Sequence, residues 1–176
     1  MKSRFVFALF SVPVLLIVGC ASISGPSTSG TAAAQAQIAC RTTNEQEIAA
    51  LFDRWNDSLR TGDPHKVVAN YAERSILLPT VSNQPRVTPA EKEHYFHHFL
   101  ENRPSGRIDF HYIQIGCNSA FDAGLYTFTF EKTGEQVHAR YTYTYAWDGK
   151  QWLITSHHSS AMPEKKYHSS AAPEKR

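Results

Sequence analysis

The stretch Val137-His-Ala-Arg-Tyr-Thr-Tyr-Thr-Tyr-Ala-Trp147 constrains this chain more than any other. Tyr141, Tyr143, Tyr145 and Trp147 share one parity, while Arg140, Thr142 and Thr144 share the other. A period of two in aromatic and β-branched residues is the pattern of a strand. Asp148-Gly149 then marks a hairpin turn, and Trp152-Leu-Ile-Thr-Ser-His-His-Ser159 supplies the returning strand. Pairing Trp147 with Trp152 sets Tyr145 opposite Ile154, Thr144 opposite Thr155, Thr142 opposite His157 and Arg140 opposite Ser159. One face is then aromatic and the other carries Arg140, the threonines and His157. A three-residue loop would instead place His158 beside Arg140, because one residue of slip exchanges the two faces. Both histidines therefore remain candidates.

The chain opens with Lys2 and Arg4, an apolar run from Phe5 to Val18, and Ile17-Val18-Gly19-Cys20. A charged start, a short apolar segment and a small residue before cysteine predict a signal peptide rather than a membrane span. The last four residues of that segment resemble the lipobox of bacterial lipoproteins, which implies lipidation at Cys20 after removal of residues 1–20. Ala21 and Ser22 follow the cysteine, and by likeness to Gram-negative lipoproteins this implies the periplasmic face of the outer membrane. Of 18 basic residues the signal removes two and no acid, so the remainder balances the 16 acidic residues. A near-neutral domain offers no electrostatic footprint for nucleic acid. Residues 21–39, rich in Ser, Gly, Thr and Ala, read as a flexible tether. The segment His158–Lys166 recurs ten residues further on as His168–Arg176, and the second copy lacks the apolar content to pack, so residues 164–176 read as a disordered, duplicated tail.

Residues 40–163 form one domain, large enough to bury a core without staples. Cys40 and Cys117, spare thiols in an exported chain, predict one disulfide, with Cys117 in a strand. His94, His97 and His98 lack a glutamate at metalloprotease spacing, so neither a metal nor any other cofactor is expected. A first helix is expected to open at Thr43 with Gln46 completing a capping box, and to present Ile48, Leu51, Phe52, Trp55 and Leu59 on one face. Asp63-Pro64 begins a short second helix running through Tyr71. A strand over residues 75–80 follows, then a third helix capped at Thr88-Pro89 with Glu91 and burying Tyr95, Phe96, Phe99 and Leu100. Strands near 107–117 and 121–132 precede the hairpin. Helices gathered early and strands gathered late predict an α+β domain, with three helices packed on a curved, mostly antiparallel sheet.

The helix pair ending in Thr61-Gly62-Asp63, the segment Asp148-Gly149-Lys150-x-Trp152 and the closing His157-His158-Ser159-Ser160 resemble the nuclear transport factor 2-like cone. Within it the likeness is nearest to the association domain of calcium/calmodulin-dependent protein kinase II and its stand-alone bacterial relatives, with SnoaL-like proteins next. The resemblance spans about residues 41–163 and implies a ligand cavity under the helices and a homodimer or larger ring formed through the sheet. Where the kinase hub carries pocket arginines this chain has Thr142 and Ser159, and Arg140 on the same face is a substitute cation. The resemblance thus puts Arg140 inside and the tyrosine stripe outward. Pattern alone buries the tyrosines under the helices and leaves Arg140 in solvent. A sheet covered on both faces reconciles the two.

The candidate ligand-binding set is Arg140, Thr142, Thr144, His157, Ser159 and Trp55. Histidine exchanges protons near neutral pH and a buried guanidinium holds anions, so His157, His158 and Arg140 are the candidate catalytic groups. The plainer alternative pairs Arg140 with Asp53, Asp57 or Glu73 as a structural ion pair. The resulting expectation is an exported, lipid-anchored, self-associating domain that binds an unidentified small molecule without catalysis. Its rival is an enzyme of the SnoaL or ketosteroid-isomerase kind, against which stands the lack of a carboxylate on the last two strands. Membrane contact is expected only through the anchor: Cys20→Ser should release the protein from the membrane fraction, and unchanged fractionation would exclude lipid attachment.

Overall fold

The computed structural model describes residues 39–80 and 82–162. The signal with Cys20, nearly all of the tether and the duplicated tail lie outside the described residues. Helix α1 (Glu45–Leu59) is capped by Asn44, whose side chain accepts from the Glu47 N–H at 2.9 Å. Thr43 is not the cap; its hydroxyl donates to the Glu47 carboxylate. The expected stripe of Ile48, Leu51, Phe52, Trp55 and Leu59 is buried. Gly62 follows with φ +68°, a left-handed conformation that favours glycine. Helix α2 (Pro64–Val68) is capped by Asp63 and ends earlier than the sequence pattern predicts. Asn70 ends it by donating its side-chain amide to the carbonyls of Lys66 and Val67, each at 3.1 Å. Tyr71 accordingly opens strand β1 (Tyr71–Leu78) instead of closing a helix.

Helix α3 (Pro89–Leu100) has the predicted capping box between Thr88 and Glu91. Its inner face holds Phe96 and Leu100, with Tyr95 and Phe99 partly buried. Lys92 is also fully buried, its ammonium donating to the carbonyls of Ser75 at 2.9 Å and Val87 at 3.1 Å. Those two bonds tie the helix to β1 and to the loop before α3, which makes burial of the charge tolerable.

Strands β2 (Pro104–Gly116), β3 (Ser119–Phe130), β4 (Gln136–Trp147) and β5 (Trp152–Ala161) join β1 in one sheet of order β1-β5-β4-β3-β2. β1 runs parallel to β5 and every other neighbour is antiparallel. Three irregularities interrupt the sheet's pairing; one lies in β1 between Tyr71 and Ile76, where the register with β5 shifts. Between Ile108 and Phe110 the pairing with β3 shifts, leaving Asp109 as an extra residue. Gly124 lies under this bulge, and a methyl group there would sit 1.9 Å from the Phe110 carbonyl oxygen. Between Thr144 and Tyr145 the pairing with β5 also shifts, with Thr155 the extra residue. Bulges bend a strand and sharpen its twist, so these irregularities contribute to the sheet's curve around the helices.

Trp147 pairs with Trp152 and Tyr145 with Ile154, as expected, across a four-residue loop that Asp148 organises by accepting from the backbone of Lys150 and Gln151. Beyond the bulge the expected register changes. Tyr143 faces His157, Thr142 faces His158, Tyr141 faces Ser159 and Arg140 faces Ser160. The extra residue shifts all later partners by one, so His157 joins the aromatic face and His158 the face of Arg140.

The tyrosine stripe is the core. Phe52 lies against Tyr126, Tyr141 and Tyr143, while Trp55 lies against Tyr143, Phe128 and His157. Each such ring contributes roughly 1.5 to 3 kcal/mol through burial. The placement of this stripe outward, which the resemblance implied, is therefore corrected. The outer face instead shows Phe110 and Tyr112, 59% and 58% exposed, with Phe121 beside Tyr112 at 5.9 Å. A Cys40–Cys117 disulfide joins the segment before α1 to the β2–β3 turn; Cys117 lies in that turn, not in a strand.

Candidate functional site

Because β5 has its extra residue at Thr155, His157 and Ser159 point to the same side as Tyr143 and Tyr141. That side faces a cavity of about 250 Å³ between α3 and the sheet. Its walls are mostly apolar, with Phe96, Phe99 and Phe128 prominent. The polar groups gather on one wall. Tyr126 donates its hydroxyl to Ser159 Oγ at 2.5 Å, and Ser159 Oγ also shares a hydrogen bond with Thr80 Oγ1. Thr80 lies just beyond β1, after Pro79, and it reaches Ser159 because β1 runs parallel beside β5. His157 lines the same cavity one alternate position along β5.

His157 is 4% exposed, with its ring stacked 4.1 Å from that of Tyr143 and edge-on to Trp55 at 5.3 Å. Its Nδ1 lies 2.8 Å from the Tyr71 hydroxyl, and its Nε2 has no hydrogen-bond partner among the described residues. Burial, reinforced by neighbouring His158, pushes its pKa down to about 3, so the imidazole is neutral near pH 7. Burial likewise pushes the Tyr126 and Tyr71 phenols upward, which keeps both as hydrogen-bond donors. An apolar chamber with hydroxyls and a neutral imidazole on one wall can hold a small molecule that presents hydrogen-bond-accepting oxygens.

Of the residues expected to bind ligand, Trp55, His157 and Ser159 line this cavity. Arg140, Thr142 and Thr144 do not. Arg140 is exposed on the opposite face, its guanidinium 3.4 Å from the Ala161 carbonyl and in no salt bridge with Asp53, Asp57 or Glu73. Thr142 and Thr144 share that face, and Thr144 bonds Thr155 at 2.7 Å. His158 is exposed there too. The physical reason is strand parity: residues alternating with buried tyrosines must point away from them. The resemblance misplaced Arg140 because burying three tyrosines outweighs burying one guanidinium.

Thr80, Tyr126 and Tyr71 were not among the sequence candidates. Tyr126 was accessible from the alternation of Tyr126, Phe128 and Phe130; Thr80 and Tyr71 depend on the parallel strand pair, which has no local signal. An inward carboxylate also exists, on β3 and not on the last two strands. Asp122 is fully buried and accepts from the Tyr141 hydroxyl at 2.9 Å, and burial raises its pKa. It does not line the cavity. Among the described residues no three His, Cys, Asp or Glu side chains group as metal ligands.

The fold and its under-helix cavity define a cone of the nuclear transport factor 2-like class. A family profile, the calcium/calmodulin dependent protein kinase II association domain, matches residues 44–163, and the chain belongs to that family. A Xanthomonas campestris protein assigned to the same association domain is 48% identical, with a TM-score of 0.66 over 70% of this chain and 91% of its own. A nuclear transport factor 2-like protein from Pseudomonas putida is similar at 17% identity and TM-score 0.61, covering 78% and 99%. The iota-carbonic anhydrase of a cyanobacterium, solved with bicarbonate, is similar at 20% identity and TM-score 0.63, covering 73% and 98%. The last two likenesses establish fold alone. No curated protein matches the chain.

A histidine whose pKa falls on folding binds fewer protons in the folded state. Its contribution to stability is fully present above the ordinary value near 6.5 and is lost as pH falls toward about 3. Urea denaturation across that window should therefore show a shallower fall of stability for His157→Gln than for wild type, by up to about 1.4 kcal/mol per pH unit. Parallel slopes would mean that His157 is not buried as a neutral group.

Proposed function

We propose that the cavity binds carbon dioxide and bicarbonate and catalyses their interconversion by adding and removing water. The observation that carries this reading is the wall of Thr80, Ser159, Tyr126 and neutral His157 inside an otherwise apolar chamber. An apolar chamber suits carbon dioxide, and converging hydroxyls suit the oxygens of bicarbonate. In the hydration direction a water oxygen bonds to the carbon of carbon dioxide and releases one proton. The hydroxyls of Ser159 and Thr80 are both donor and acceptor, so the pair can pass that proton along by exchanging roles. Thr80 is half-buried, and at its end the proton reaches solvent. Donors fixed on the wall stabilise the negative charge that develops on oxygen. The same fold in a carbonic anhydrase holding bicarbonate supports this reading by analogy.

A second reading is favoured by the aromatic lining: a larger, mainly apolar ligand with one oxygen-bearing end, held without turnover. Native mass spectrometry of the purified protein would show such a molecule co-purifying. For export, the lipobox ending in Cys20 supports lipid anchoring, and the Cys40–Cys117 bridge fits an oxidising compartment. For self-association, the family's association-domain character and the exposed Phe110 and Tyr112 support pairing through the outer face of the sheet.

Stopped-flow hydration of carbon dioxide, followed with a pH indicator, should show turnover by the wild type. Ser159→Ala should lower it by about a hundredfold or more. Absence of both turnover and bicarbonate binding would defeat the proposal. On the outer face, Tyr112→Glu should leave a folded monomer where the wild type sediments as a dimer or larger; a monomeric wild type would refute the pairing.

A further inference from the structure

The two ring nitrogens of His157 stand in different surroundings, and a neutral imidazole carries its one hydrogen on only one of them. Nδ1 is 2.8 Å from the Tyr71 hydroxyl, while Nε2 is buried without a partner among the described residues. If the hydrogen were on Nδ1, it would point at the Tyr71 oxygen. The phenol hydrogen of Tyr71 would then lack an acceptor, since His157 is the one partner of that hydroxyl among the described residues. Nε2 would also be left as a bare lone pair, so two buried groups would go unmet. If the hydrogen is on Nε2, Tyr71 donates to Nδ1 and only the Nε2–H is unmet. Each unmet buried group is costly, and the second arrangement has one fewer.

A charged neighbour of Tyr71 favours the same arrangement. The buried Lys92 ammonium lies 5.9 Å from the centroid of the Tyr71 ring, where a cation draws electron density from the phenol and strengthens it as a donor.

We propose that Tyr71 locks His157 in the tautomer with hydrogen on Nε2, so that His157 serves the cavity as a neutral hydrogen-bond donor and not as a proton acceptor. Tyr71 is then a positioning residue, acting on the ligand only through the imidazole. The ligand must bring an accepting oxygen to His157, as bicarbonate does, and the proton released during hydration leaves through the hydroxyls and not through the imidazole. This role for His157 rests on the cavity reading given above; the tautomer itself does not.

The test is nitrogen NMR of the full-length protein labelled with ¹⁵N-histidine, with His157 assigned by its loss in His157→Gln. The expected spectrum has His157 Nε2 in the protonated class and Nδ1 in the unprotonated class. Tyr71→Phe keeps the ring and removes the hydroxyl, and should shift the spectrum to a mixture of tautomers or to the opposite one. An unprotonated Nε2 in the wild type would overturn the proposal, and so would a Tyr71→Phe spectrum unchanged at His157. Added bicarbonate should move the Nε2 resonance. If it does not while the tautomer is as stated, the ligand reading fails and the role of Tyr71 stands.

Discussion

One extra residue in β5 decides what this cone contains. Without Thr155 as a bulge, the alternation that buries Ile154 would turn His157 to the outer face and send His158 inward. With it, His157 and Ser159 lie among the tyrosines of β4 and face the cavity. A bulge interrupts the hydrogen-bond ladder and persists only where the surrounding packing over-determines it. Here Tyr143 supplies that packing by stacking on the imidazole at 4.1 Å, and the Thr144–Thr155 hydroxyl pair fastens the bulged residue from the other side. Core packing and site placement are consequences of the same contact.

The interior that results is crowded with aromatic rings, several of them tyrosines that bring polar atoms inside. Phenols resolve part of the conflict by pairing with each other's neighbours: Tyr71 with His157, Tyr126 with Ser159, Tyr141 with Asp122. The rest is left open, since the hydroxyls of Tyr143 and Tyr145 have no partner among the described residues. Buried polar groups left unmet reduce stability, so these two phenols are a cost that the surrounding aromatic packing must offset.

Much of the architecture was legible because its signals are local. Asp148-Gly149 fixes a turn, Thr88 with Glu91 fixes a helix start, and the alternating tyrosines fix a strand and its buried face. The site was legible only in part. His157 and Ser159 could be named from the hairpin, and Trp55 from the α1 stripe, but their partners Tyr71 and Thr80 come from a strand brought alongside β5 in parallel. Such pairing leaves no mark in either segment. Arg140 lies outside because residues between the buried tyrosines of β4 point outward, a rule the sequence shows locally and the family resemblance did not predict.

The strand order has a consequence for how the domain reaches its native state. β5 is the last described strand in the chain, yet it lies inside the sheet, between the first strand and the fourth. Until it arrives, β1 has no strand to pair with and the wall opposite α3 lacks both His157 and Ser159. Closing contacts over such sequence distances is slow because chain entropy is lost before the contacts form. The cavity and the completed sheet are therefore one cooperative event, so a chain that has not finished folding has no site to expose.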